Sequence, residues 1–97
     1  MTYKVTISEE AMDDIRLASR WYEKQKKGLG KEFLGSIKEY KAILKSNPYF
    51  VKRYKQVHTI SIKRFPFMIH YTIDKHAQIV LIVAVLHTSL NPESNWI

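Results

Sequence analysis

The sequence predicts an α+β domain in the order β-α-α-β-β-β, with a helical hairpin packed on one side of a mostly antiparallel four-stranded sheet. Three observations carry that reading. Apolar residues recur at helical spacing from Met12 to Leu44; they alternate from Val57 to Asp74; and Gly28-Leu29-Gly30 and Asn47-Pro48 fall where the pattern breaks or changes period.

Tyr3 to Ile7 is a short β-branched alternation that reads as a first strand. Ser8, followed by Glu9 and Glu10, offers a side-chain cap with acids at the positive end of a helix dipole. Met12, Ile15, Ala18 and Tyr22 continue at helical spacing, Leu17 and Trp21 widen the stripe, and a first helix is predicted over residues 9 to 26. The Gly28 to Gly30 pair breaks it. Phe33, Leu34, Ile37, Tyr40, Lys41 and Leu44 mark a second amphipathic helix, which Asn47-Pro48 ends because proline pushes its predecessor out of the helical region. Two helices joined by a glycine turn form an antiparallel hairpin. Beyond Pro48, His58, Ile60 and Ile62 alternate with Val57, Thr59 and Ser61, and Phe67, Ile69, Tyr71 and Ile73 with Met68, His70, Thr72 and Asp74. These are two antiparallel strands with a Phe65-Pro66 turn. Asp74-Lys75-His76-Ala77 is a second turn, leading into the unbroken apolar run Ile79 to Leu86, which predicts a strand that is central or covered on both faces.

The 97 residues are expected to form one domain, 1–97, with a single core. The chain has no cysteine, so neither disulfides nor thiolate metal sites are available. Its longest apolar run is far short of the roughly 20 residues that span a bilayer, and MTYKVTISEEA lacks the apolar stretch of a secretory signal. A soluble cytoplasmic protein without membrane association is expected. The net charge of +7 is local: Tyr40 to Ile73 contains no acid but carries Lys41, Lys45, Lys52, Arg53, Lys55, Lys63 and Arg64, while basic and acidic residues balance elsewhere. An anionic partner follows: nucleic acid, an acidic protein segment, or both.

Candidate functional residues follow from the same pattern. Tyr49 to Lys55 interleaves aromatics with cations, the composition that holds single-stranded nucleic acid by stacking and phosphate contacts, and Lys52, Arg53, Tyr54 and Lys55 are its candidate contacts. A basic loop joining helix to sheet is the plainer reading of the same residues. His87, at the exit of the apolar strand, is either an acid–base group or a hydrogen-bonded structural residue. His58, His70 and His76 lack ligand spacing, so neither a metal nor a cofactor is expected. Trp21 and Trp96 close the core or mark a partner surface.

Taken in order, Ser8 to Ala11, Trp21-Tyr22-Glu23, Gly28-Leu29-Gly30 with Phe33, Asn47-Pro48, Arg64-Phe65-Pro66-Phe67 with Ile69 and Tyr71, Ala84-Val85-Leu86-His87, and Asn91-Pro92 before Trp96 resemble the RelE/ParE superfamily of bacterial type II toxins. The likeness is greatest to its ParE-like branch. It implies a small toxin encoded beside a cognate acidic antitoxin, with Trp21, Tyr22, Phe33 and Trp96 as the apolar surface that the antitoxin covers. It also implies one of two targets: the type II topoisomerase gyrase, or messenger RNA on the ribosome. A nuclease would use Lys63, Arg64 and His87. Ribonucleases of this kind usually carry an arginine in the third strand, where this chain has Met68, and many carry a basic residue after the last strand, where Thr88 to Asn91 supply none. Cutting RNA through its 2′-hydroxyl needs a proton acceptor, a donor to the leaving oxygen and fixed positive charge; losing one such stabilising group costs about 10² to 10³ in rate. The expectation is a ParE-like toxin that binds gyrase, with a ribosome-dependent messenger RNA endonuclease as the alternative. Outside toxins, the rival is a non-catalytic basic RNA-binding module.

Overall fold

The computed structural model describes residues 2–89. Its elements are β1 (Lys4–Ile7), α1 (Glu9–Gln25), α2 (Leu29–Ser46), β2 (Val51–Tyr54), β3 (Val57–Ser61), β4 (Phe67–Asp74) and β5 (Ile79–His87). One sheet runs in the order β1-β5-β4-β3-β2. Strand β1 is parallel to β5, and every other pair is antiparallel. Both predicted helices and the four predicted strands are present in the predicted order. The sheet gains a fifth strand, because the basic stretch Val51–Tyr54 pairs with β3 as an edge hairpin turned at Lys55, which takes a positive φ of 46°. That stretch has no apolar alternation, so only its pairing reveals it.

The helices cover one face of the sheet. Ala11, Ile15, Ala18 and Tyr22 of α1 and Phe33, Ile37 and Leu44 of α2 meet Ile62, Phe65, Ile69, Tyr71, Val80, Ile82 and Val85 in one core. The apolar strand β5 is central, between β1 and β4, and Leu81 remains exposed on the uncovered face.

Two joints set the geometry near the site. At the first, the β4–β5 register slips between His70 and Tyr71, which pair with Ala84 and Ile82, so Val83 is the extra residue of a β-bulge. Helix α1 serves the bulge's polar groups. The Ser8 hydroxyl, which caps α1 by accepting from the Ala11 N–H at 3.1 Å, donates to the Val83 carbonyl at 3.4 Å, and Asp14 Oδ2 accepts the Val85 N–H at 3.0 Å. At the second joint, Gly28 takes a φ of 90° at the head of α2, and the Glu23 carboxylate of α1 accepts the Gly28 and Gly30 N–H groups at 2.9 and 3.0 Å. Helix α2 is thus capped by its partner helix rather than by its own sequence. No helix among the described residues is long and apolar enough to cross a membrane.

Candidate functional site

His87, the last residue of β5, pairs with Phe67, the first of β4, and stands edge-on to its ring at 5.3 Å. The two lie at the end of an aromatic cluster. Tyr22 contacts Phe65 at 4.8 Å and Phe33 at 5.4 Å, and Phe33 contacts Phe67 at 5.3 Å. This packing opens a cleft of about 430 Å³ between α1 and the sheet end, lined by Ala18, Trp21, Tyr22, Pro66, Phe67 and His87. Trp21 is 58% exposed at its rim, edge-on to Tyr22 at 5.1 Å. The cleft is lined mostly by apolar and aromatic surface.

The imidazole has local partners. The Ser89 N–H donates to His87 Nδ1 at 3.1 Å, and Ser89 Oγ lies 2.8 Å from the same nitrogen. Because a backbone N–H only donates, Nδ1 is the acceptor and the proton of the neutral ring sits on Nε2. His87 is thus hydrogen-bonded to Ser89, beyond the end of its own strand, with its ring lining the cleft.

The other two residues named for a nuclease do not line this cleft and have partners of their own. Lys63 donates its backbone N–H to the Tyr40 hydroxyl at 3.1 Å and lines a separate hollow with Glu39, Ile43, Phe50 and Ile60. The Arg64 guanidinium is ion-paired with Glu32 of α2 and lies over the Phe65 ring at 5.6 Å. Met68 alternates with the core residues Phe67 and Ile69, which places it on the face of the sheet opposite the helices and His87. No described residue lining the cleft is a cation.

The residues named for partner contact divide in the same way. Trp21 is open, Tyr22 lines the cleft with only 8% of its surface free, and Phe33 is fully buried, so it belongs to the core and offers no contact surface. Trp96 lies outside the described residues. Of the basic stretch, Lys52 and Lys55 are exposed on the edge hairpin; Tyr54 is half-buried with its hydroxyl 3.3 Å from His70 Nδ1, which ties it to the sheet rather than to solvent. Arg53 shares the backbone of β2. No group of three or more His, Cys, Asp or Glu among the described residues is placed to hold a metal ion.

Three residues that shape the site were not named as site residues in the sequence. Asp14 carried a readable signal, since Ala11, Asp14, Ile15 and Ala18 share one helix face. Its carboxyl is pushed above the usual range by burial, with Asp13 and Glu10 adding to the rise and the Val85 N–H opposing it. Glu23 entered only as part of the family resemblance, and its capping role depends on where α2 begins. Pro66 was read only as a turn, yet it forms one wall of the cleft and its carbonyl accepts the Thr88 N–H at 2.8 Å.

The family model of the ParE toxin of type II toxin–antitoxin systems matches residues 5–92. The chain belongs to that family. Its fold is shared by a chain of the chromosomal ParDE toxin–antitoxin system of P. aeruginosa, with a TM-score of 0.77, 14% identity, and coverage of 91% of this chain and 98% of the other. A chain of the RelBE2 toxin–antitoxin complex of Mycobacterium tuberculosis gives 0.65 at 19% identity, covering 90% and 99%. The isolated RelE toxin of E. coli gives 0.66 at 12% identity, covering 97% and 93%. At such identities the likeness is one of fold, and it spans both branches of the superfamily. No curated relative matches the chain in sequence.

Proposed function

We propose that this toxin arrests growth by binding a type II topoisomerase, gyrase, and that a cognate acidic antitoxin neutralises it. The observation that supports the reading is the lining of the His87 cleft: apolar and aromatic groups surround the imidazole, and no described cation lines it. A phosphorane gains charge as it forms, and a lone imidazole in an apolar cleft supplies proton transfer without the fixed positive charge that the step needs. The same cleft, with Trp21 open at its rim, suits an apolar side chain of a protein partner.

Induction of the wild-type chain and of His87→Ala in a bacterium separates the targets. Filamentous cells, DNA-damage signalling and intact messenger RNA ends are expected for both, with purified gyrase inhibited in a supercoiling assay. His87→Ala should act only through folding, by about 1 kcal/mol for the lost hydrogen bonds. Reproducible cuts at ribosome-bound codons that vanish with His87→Ala would overturn the proposal in favour of the messenger RNA endonuclease. Absence of arrest from either chain would favour the non-catalytic RNA-binding module.

A further inference from the structure

At the opposite end of the sheet from His87, a hollow of about 370 Å³ is lined by Tyr49, Lys52, Gln56, His58, Ile73 and Lys75. These residues come from the α2–β2 connection, the β2–β3 hairpin, β4 and the β4–β5 turn, so the cluster exists only in the folded chain. Neither of its two cations is ion-paired among the described residues, where the pairs are Arg16–Asp13 and Arg64–Glu32. The nearby Asp74 has its Oδ1 engaged by the Ala77 N–H at 3.0 Å.

The rings of the hollow are held in place. His58 stacks on buried Tyr71 at 5.6 Å and 19°, and since a carbonyl only accepts, the 3.0 Å contact of His58 Nδ1 with the Phe50 carbonyl makes that nitrogen a donor. The hydroxyls of Tyr49 and Tyr3 are 2.6 Å apart, the two rings meet edge-on at 6.0 Å, and the Lys75 ammonium lies 5.9 Å from the centre of the Tyr49 ring, which is itself half-exposed. Fixed flat rings beside unneutralised ammonium groups form a combination that binds a base and its phosphate together.

We propose that this hollow binds a nucleotide unit, its phosphate between Lys52 and Lys75 and its base against the Tyr49 and His58 rings, with the Gln56 amide within the same lining to meet the base edge. The site is independent of the topoisomerase reading, because it lies away from the His87 cleft and is tested on the purified chain. The unit is either a free nucleotide or one link of a single strand, and competition separates them.

The test measures binding of a fluorescently labelled single-stranded octanucleotide to the full chain, with AMP and inorganic phosphate as competitors. Lys52→Gln with Lys75→Gln should weaken binding about tenfold and lower the salt slope by about 0.7, the share of one neutralised phosphate on a single strand. Tyr49→Leu should weaken it about tenfold through lost stacking, with the salt slope unchanged. The control pair Lys41→Gln with Lys45→Gln carries the same charge change elsewhere and should have under about a twofold effect. Displacement by AMP identifies the free nucleotide as sufficient; resistance to AMP identifies the strand; either supports the site. Inorganic phosphate competing as well as AMP, an equal loss from the control pair, or no binding in moderate salt would overturn it.

Discussion

Asp14 shows how one side chain couples pH to the shape of the sheet. Its carboxyl is raised chiefly by burial, so the folded chain holds the Asp14 proton to higher pH than the unfolded chain does. The sign follows directly: the stability Asp14 contributes is fully present below the unfolded carboxylate value and is lost as pH rises through the folded one. Asp14→Asn keeps an oxygen for the Val85 N–H and removes the titration. The stability of Asp14→Asn relative to wild type should therefore grow as pH is raised from about 4 to about 7. Urea midpoints of both chains across that range measure it, and a relative stability that shrinks with rising pH would reverse the assignment. Tyr71 is a buried titratable group of the sheet itself. Its hydroxyl donates to the Pro48 carbonyl at 2.7 Å, and burial pushes its pKa up to about 12, so it stays neutral and anchors the chain where α2 leaves for β2.

The helical hairpin is held at its tip by an approach that only glycine allows. A Cβ at Gly30 would stand 2.6 Å from the Ser19 backbone oxygen, whereas one at Gly35, on the exposed side of the same helix, would meet nothing within 4 Å. The Ser19 hydroxyl, donating to the Gly30 carbonyl at 3.2 Å, and the Glu23 carboxylate use the closeness that results. Gly30→Ala must push the helices apart, since the obstacle is backbone and has no rotamer to change; a loss of roughly 1–3 kcal/mol is expected. Gly35→Ala should instead stabilise by about 0.5–1 kcal/mol, by removing backbone freedom from the unfolded chain. Denaturant unfolding of the two variants gives opposite signs if the contact sets the hairpin, and the same sign if it does not. Displacing α1 also moves Trp21 and Tyr22 away from Phe67, so Gly30→Ala should loosen the His87 cleft.

Across the whole molecule, apolar exposure and charge point to a partner. Leu17 and Trp21 on α1, and Leu34 and Ile43 on α2, are exposed, and the chain carries a net charge of +7. The acidic antitoxin proposed above would answer both features. A partner that binds only the folded chain, at about 100 times its dissociation constant, adds about 2.7 kcal/mol. For a domain of this size that is a rise in Tm of roughly 10–20 °C. Thermal unfolding with and without the product of the adjacent gene measures the rise, and the gain should shrink with salt because part of the attraction is electrostatic. An isolated chain of high Tm, indifferent to that product, would contradict this account of the surface.

Both helices, three strands with apolar alternation and the unbroken apolar strand β5 were legible in the sequence, because each rests on local physics: the cap at Ser8, the glycine turn at Gly28, the break at Pro48, and the patterns between them. The motifs that carried the family resemblance were legible for the same reason, since several of them, Ser8 to Ala11, Gly28-Leu29-Gly30 and Asn47-Pro48, stand at these joints. Strand β2 was not, because its residues lack a period and become a strand only by pairing with β3. Nor were the sites. That His87 shares a cleft with Trp21 while Arg64 turns to Glu32, that Phe33 is sealed in the core, and that Lys75 reaches the hollow of Lys52 and His58 are facts of sheet order and bulge position. Local periodicity decides which residues form an element and which side they bury; the encounter of side chains from distant elements depends on how those elements pack, and only the tertiary structure fixes that.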